Sequence, residues 1–183
     1  MHRLCREGRR LMPAGEAGPE KGTVGVYPDG GRSIWLMGAL LTTFKAVSEE
    51  TGGEYSLYET TAPPQLGAPP HIHHRETEAF YVLEGEFEFL KGERTMRAGM
   101  GEFVHVPRGV VHGFTNVGDE PAKLLGIVTP GGLHEKMLAQ IGEQAKSETL
   151  PPPPEGPPDM AEMEKIMETA LKYGTELLPP SGQ

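Results

Sequence analysis

The sequence predicts an all-β sandwich or barrel that is followed by C-terminal helices. Short β-prone runs separated by turn residues fill the chain from Thr23 to about Pro130. The 183 residues include 25 Gly and 18 Pro, which suits frequent turns between short strands. After Pro130 the spacing of the apolar residues becomes helical. The length is enough for one ordinary domain with an apolar core.

The first segment, residues 1–22, is expected to be a flexible N-terminal extension. It is rich in Gly, Pro, Arg and Glu and has no periodic apolar spacing. Its arginines, Arg3, Arg6, Arg9 and Arg10, could belong to an organelle-targeting peptide. The serine residues and the apolar face of such a peptide are missing, which favours a plain extension.

The barrel domain is predicted over residues 23–130. Turn signals such as Gly52-Gly53, Pro63-Pro64 and Gly118-Asp119 separate its short runs. Many short strands at this spacing are typical of an all-β sandwich or barrel, and helical periods are absent here. The predicted strands are Thr23–Tyr27, Ile34–Met37, Leu41–Val47, Tyr55–Thr61, Glu78–Leu83, Glu86–Leu90, Phe103–Val106, Val111–Asn116 and Lys123–Thr129.

Residues 131–183 are predicted to form a helical tail. The first helix follows Gly131-Gly132, and a stiff Pro-rich linker occupies residues 151–158. Asp159 can cap a second helix that stops near Gly174. The apolar residues at helical spacing are Leu133, Met137, Leu138 and Ile141 in the first helix, and Met160, Met163, Ile166, Met167, Ala170 and Leu171 in the second. The second stripe is interpreted as a packing face against the barrel or a second subunit, with a cofactor or partner groove as the alternative.

Composition narrows the classes of function. Lys and Arg number 17 against 26 Asp and Glu, a formal net charge of −9, and no basic stripe carries interleaved aromatics, so nucleic acid is not an expected partner. No apolar run approaches the roughly 20 residues that a membrane span needs, and a soluble, cytoplasmic protein is expected. Cys5 is the only cysteine, so histidines and carboxylates must hold any metal within the chain.

The residues with the clearest chemistry form two segments. In the first, His71 and His73 alternate on a strand and therefore share a face, with Glu78 shortly after them. Two imidazoles and a carboxylate at this spacing suit one metal ion. In the second segment, Pro107 and Gly109 form a turn before a strand that starts near His112.

Together the two segments resemble the cupin superfamily. Its first motif is matched by His71-x-His73, four residues, Glu78, six residues and Gly85. The leading Gly of that motif falls at Gln65, and the nearest glycine is Gly67. The second motif is matched in full by Gly101, Pro107, Gly109, His112 and Asn116.

This resemblance covers about residues 34 to 130 and looks closest to cupins similar to quercetin 2,3-dioxygenase. It implies a double-stranded β-helix, a jelly-roll-like barrel with one metal ion in its mouth, ligated by His71, His73, Glu78 and His112. It also implies a homodimer, in which sheet edges and outer apolar residues such as Tyr81 and Leu83 would be covered. A cupin that has lost its metal and keeps the histidines as polar pocket groups is the alternative.

The ligand set suits Fe, Mn, Co, Ni, Cu or Zn and leaves coordination positions for a small-molecule substrate. The leading hypothesis is a dioxygenase that acts on an enolic, phenolic or flavonol-like compound, with Glu78 as catalytic base. One alternative is a metal-dependent isomerase, epimerase or decarboxylase; another is a binding module without catalysis. Cupin regulators usually carry a DNA-binding domain, and no helix-turn-helix pattern is present in the sequence.

Three further residues near the motifs need an assignment. Glu76 is a rival to Glu78 if the strand begins with a bulge. His74 and His105 have strand parity opposite to the inward positions, so they are expected to face away from the site. The aromatic residues Phe44, Tyr58, Phe80, Phe87, Phe89 and Phe114 are interpreted mainly as core fillers.

Overall fold

A computed structural model describes residues 25–28, 30–153, 156 and 159–178. The extension predicted for residues 1–22 lies outside the described residues, as do part of the predicted strand Thr23–Tyr27 and part of the linker 151–158.

The described residues form strands and three helices in the following order. The elements are β1 (Arg32–Leu36), β2 (Leu40–Ala46), α1 (Ser48–Thr51), β3 (Ser56–Ala62), β4 (Gly67–His73), β5 (Thr77–Glu84), β6 (Glu86–Lys91), β7 (Arg94–Gly99), β8 (Phe103–Val106), β9 (His112–Asn116), β10 (Ala122–Thr129), α2 (His134–Ile141), β11 (Glu143–Gln144), α3 (Met160–Lys172) and β12 (Thr175–Leu177).

The strands make two sheets whose paired neighbours are antiparallel. Seven strands form one sheet in the order β11-β1-β2-β3-β10-β5-β8, and five form the other in the order β12-β4-β9-β6-β7. Strands that are distant in sequence lie side by side in both sheets, as in a double-stranded β-helix. This confirms the predicted all-β barrel with a C-terminal helical extension.

In the central strands β3 and β10, buried side chains alternate with more exposed ones. Along β3 and β10 every second residue is buried, which is the pattern of a strand with one face on the core. The core between the sheets contains the rings of Phe44, Phe80, Phe87, Phe89 and Phe114. Several of these rings meet at 5–6 Å, for example Phe80 and Phe114 with centroids 5.6 Å apart.

Some elements were not among the predicted strands. Only Ala98 is buried in β7, so this strand shows no alternation in its sequence. The short helix α1 ends at Gly52, whose φ of 66° is left-handed, and it interrupts a block in which no helical period was visible. The strands β11 and β12 have two and three residues, too few for a pattern.

The turn before β4 has the conformation for which the family motif uses glycine. Gln65, at that position, has a φ of 61°. Its backbone N–H donates to the Asn116 carbonyl at 3.0 Å, and the Asn116 N–H donates to the Leu66 carbonyl at 2.9 Å. The turn is therefore retained although a glutamine occupies the left-handed position.

The C-terminal elements pack on the barrel beside its ligand-bearing strand. The Asp159 side chain accepts the Glu162 N–H at 2.8 Å and caps α3, as predicted. Ile166 and Ala170 are the buried residues of α3. After α3 the chain adds β12 to the edge of the five-stranded sheet, next to β4. Among the described residues, no helix combines the length and apolar character that crossing a bilayer requires.

Candidate metal centre

The two sheets bring the four predicted ligands together. His71 and His73 lie on β4, His112 begins β9, and Glu78 lies on β5 of the other sheet. His71 and His112 are directly opposite in the register of β4 and β9. All four side chains are buried, and one potential ligand atom from each lies within 4.8 Å of the others. The geometry is compatible with a single metal ion.

Hydrogen bonds orient each imidazole ring. Nδ1 of His71 lies 2.8 Å from the Pro69 carbonyl oxygen, and Nδ1 of His112 lies 2.9 Å from the Val110 carbonyl oxygen. Because a carbonyl only accepts, Nδ1 donates in both pairs, and Nε2 of the neutral ring is left with a lone pair. Nδ1 of His73 lies 2.9 Å from the Thr175 hydroxyl on β12. Such partners on the far nitrogen are typical of metal-binding histidines.

The three Nε2 atoms converge on one oxygen. Glu78 Oε2 lies 2.9 Å from Nε2 of His112, 3.3 Å from that of His73 and 3.8 Å from that of His71. Nε2 of His73 has no hydrogen-bond partner among the described residues. The lone pairs of these nitrogens would face the anionic Glu78 oxygen in a buried site, which is unfavourable unless protons or a cation lie between them. The donor set therefore fits a divalent cation.

The pKa shifts of Glu78 and His71 agree with this donor set, whereas the shift of His73 favours its protonated ring. Burial opposes charge on Glu78, but the charge of His73 and the close approach of the other two imidazoles hold the pKa of its carboxyl well below the usual range. Burial lowers the pKa of His71. Burial also disfavours a charged His73, yet the charge of Glu78 outweighs it and raises the pKa of His73. An ionised carboxylate and neutral imidazoles are the forms that bind metals.

The second oxygen of Glu78 has different neighbours. The Tyr58 hydroxyl on β3 donates to Oε1 at 2.5 Å, and His134 Nε2 lies 3.7 Å from it. Burial and the negative charge of Glu78 raise the pKa of Tyr58 well above its usual value, so its proton stays on the hydroxyl. Gly126 of β10, opposite Tyr58, leaves space for the ring: a Cβ there would lie 2.1 Å from the ring atom Cζ.

The remaining residues flagged in the sequence lie around this cluster. His74 and His105 are exposed, as predicted, and His74 pairs with Glu176 at 2.9 Å. Glu76 is 1% exposed, but its Oε2 lies 3.7 Å from Nδ1 of His73, behind the ring and apart from the ligand cluster. Burial raises the pKa of Glu76.

Sequence reasoning missed three residues of the site. The sequence favours a core position for Tyr58, and neither motif includes His134 or Thr175. His134 begins α2 and Thr175 begins β12, both outside the two motifs. Each approaches the ligands only through long-range packing, for which the local sequence carries no signal.

A half-open cavity of about 60 Å³ adjoins the cluster. Its polar wall includes Tyr58, His71, His73, Glu78 and His134. Apolar side chains from β1, β2, β4, β9, α2 and β12 also line it. The site is therefore a small, mostly apolar cavity beside the candidate ligands.

Known proteins that resemble this chain share 20–30% of its sequence in the three comparisons that follow. A predicted oxalate decarboxylase from Thermotoga maritima is 20% identical, with a TM-score of 0.49 over 52% of this chain and 88% of that one. The quercetin 2,3-dioxygenase of Bacillus subtilis (strain 168) is 27% identical over 120 residues, which are 66% of this chain and 35% of that protein. The quercetin 2,3-dioxygenase of Aspergillus japonicus is 30% identical over 119 residues, 61% of this chain and 33% of that one.

The chain spans about a third of the length of these two curated relatives. Residues 58–128 match the family model described as the cupin domain. This segment runs from β3 to β10 and includes His71, His73, Glu78 and His112. Both sequence motifs and the antiparallel double-sheet barrel agree with this match, so the chain contains a cupin domain over residues 58–128.

Proposed function

We propose that this cupin binds one divalent transition-metal ion through His71, His73, Glu78 and His112 and is a dioxygenase for an enolic or phenolic small molecule. The observation that carries the proposal is the convergence of three Nε2 atoms on Glu78 Oε2. The reaction class is supported by the two curated relatives, both quercetin 2,3-dioxygenases at 27–30% identity.

The low pKa of Glu78 limits which substrates it can deprotonate. A bound Fe, Mn, Co, Ni, Cu or Zn ion would act as a Lewis acid that makes a nearby enol or phenol oxygen more acidic. Glu78 would take the proton at Oε1, the oxygen that faces Tyr58 and His134. Because its low pKa makes Glu78 a weak base, enols and phenols are better matched to it than ordinary alcohols.

The other residues of the cavity position these groups and exclude water. The Tyr58 hydroxyl fixes the Glu78 carboxylate through its hydrogen bond to Oε1. Leu138 and Ile141 of α2 and Leu177 of β12 cover the cavity. An apolar cover keeps bulk water from the deprotonated substrate, which protects it from reprotonation.

Oxygen uptake tests the proposed reaction. The full chain, loaded in parallel with each of the six metals, is given catechol, a small enediol or a flavonol in an oxygen-electrode cell. We expect uptake with at least one pairing, and both atoms of ¹⁸O₂ in the product. The matched control is the same protein with His112→Ala, which removes one ligand. Turnover without O2 uptake would favour an isomerase, epimerase or decarboxylase, and no turnover would favour a binding protein.

A further inference from the structure

His134 adds an imidazole to the cavity from outside the cupin domain match. It is the first residue of α2, whereas the match ends at residue 128. The residue is 5% exposed. Its ring centroid lies 5.1 Å from that of Tyr58 and 5.3 Å from that of His73. The helical extension therefore supplies a polar group directly beside the candidate metal centre.

The ring of His134 has unused hydrogen-bonding capacity. Its Nδ1 has no hydrogen-bond partner among the described residues. Its Nε2 lies 3.7 Å from Glu78 Oε1, which is too far for a hydrogen bond. The three predicted ligand histidines differ, because each has a partner at Nδ1. A buried polar atom without a partner is unfavourable, so a bound molecule that forms a hydrogen bond with this ring would be stabilised.

The backbone around His134 is firmly held. Its N–H donates to Glu76 Oε1 at 3.0 Å. The carboxylate of the next residue, Glu135, accepts the Ser48 N–H at 3.1 Å and the Gly132 N–H at 2.9 Å. These bonds join the start of α2 to two other segments of the chain and to the turn directly before it. The position of the imidazole in the cavity is therefore built into the fold.

The cavity restricts the size of its occupant. Its volume is about 60 Å³. Pockets for larger organic ligands usually measure about 300–1,000 Å³. Leu36, Leu138 and Leu177 are among the apolar side chains on its walls. A compact molecule with two neighbouring oxygens and a short apolar part fits within this space, whereas a multi-ring flavonol would have to extend through its opening.

We propose that His134 is a substrate-binding residue that makes a hydrogen bond to one oxygen of a compact enolic or enediol substrate. The inference rests on the proposed function, because the neighbouring oxygen of the substrate would face the ligands His71, His73 and Glu78. Within the class of enolic and phenolic compounds, His134 and the small cavity select the smaller, non-flavonol members.

Hydroxamates of two sizes test this inference on the full chain loaded with Co²⁺. Acetohydroxamate presents two neighbouring oxygens and a methyl group, and benzohydroxamate replaces the methyl by a ring. Binding is followed by the change in visible Co²⁺ absorption. We expect acetohydroxamate to bind at least about tenfold more tightly than benzohydroxamate, and His134→Leu to weaken acetohydroxamate about tenfold, the loss of one hydrogen bond. His134→Gln, which keeps hydrogen-bonding groups, should lose less.

The matched controls are His105→Leu and His105→Gln, on an exposed histidine of β8. Both should bind acetohydroxamate like the wild type, and all variants should keep their Co²⁺ and their circular dichroism spectrum. Unchanged acetohydroxamate binding in His134→Leu, or loss of Co²⁺ from both His134 variants, would overturn the inference. Equal affinity for both hydroxamates would also overturn it. A His134-dependent affinity in a protein that takes up no O2 would refute the dioxygenase and support the binding role.

Discussion

At the scale of single residues, the two oxygens of Glu78 have separate surroundings. Oε2 faces three imidazoles, and Oε1 faces Tyr58 and His134. The motif spacing was enough to predict that Glu78 joins the three histidines. The environment of Oε1 was not predictable, because Tyr58 reaches it across β10 through the space left by Gly126.

Glu78→Gln tests the proposed role of the carboxylate as a base. The amide keeps an oxygen donor but cannot hold a transferred proton, so the metal should largely remain while turnover falls by about 10²-fold or more. Metal content and O2 uptake are measured on the same sample. An unchanged rate on a substrate that the wild type oxidises would refute the role.

Gln65 provides a test of backbone strain. A non-glycine residue at a φ of 61° is strained by roughly 1–2 kcal/mol. Glycine removes this strain, but its unfolded chain has more conformational entropy, which offsets part of the gain in stability. Gln65→Gly should therefore raise the free energy of unfolding by about 0.5–1 kcal/mol in urea denaturation of the metal-free protein. Gln65→Ala, which keeps the strain, is the control. A glycine variant no more stable than the alanine variant would contradict this account.

At the scale of elements, the pairing of β12 with β4 could not be predicted from the sequence. Its three residues carry no periodicity, yet Thr175 pairs with His73 and Leu177 with His71 in the register of β12 and β4. The motif-bearing strands and the capped helix α3 were predictable because their spacing or capping is local. The docking of β12 on β4 follows from long-range packing, and with it the contact between Thr175 and His73.

Thr175→Val tests this contact. Valine matches the shape of threonine but removes the hydroxyl that orients Nδ1 of His73. Metal affinity, measured by competition with a chelator, should fall about 10- to 100-fold, the usual effect of losing a partner of a ligand histidine. Thr175→Ser should keep most of the affinity, and Glu176→Gln, on the half-buried neighbour, should keep all of it. Equal affinity of the valine and wild-type proteins would show that the contact does not position His73.

At the scale of the whole molecule, one sheet edge supports the predicted homodimer. The strand β8 lies at the end of the seven-stranded sheet. On its outer face Phe103 is 58% exposed, directly opposite Tyr81 of β5, which is 41% exposed. An open strand edge with apolar neighbours is the kind of surface that a second copy covers. The homodimer stays a prediction, as does the cytoplasmic location.

Light scattering tests the homodimer. The wild type should have twice the mass of one chain, and the double variant Tyr81→Glu and Phe103→Glu should have the mass of one chain, because the charges would be buried without partners. Met96→Glu, on the edge strand β7 of the other sheet, is the control and should stay dimeric. A wild-type mass of one chain at all concentrations would refute the prediction.

Metal content is the most direct measure of the central claim that His71, His73, Glu78 and His112 hold one ion. Protein purified without added metal is analysed by elemental spectrometry, beside a His71→Ala and His112→Ala double variant and a His105→Ala control. We predict about one divalent transition-metal ion per chain in the wild type and the control, and almost none in the folded double variant. A metal-free wild type that binds none of the six metals on titration would contradict the claim, and so would a double variant that keeps its ion.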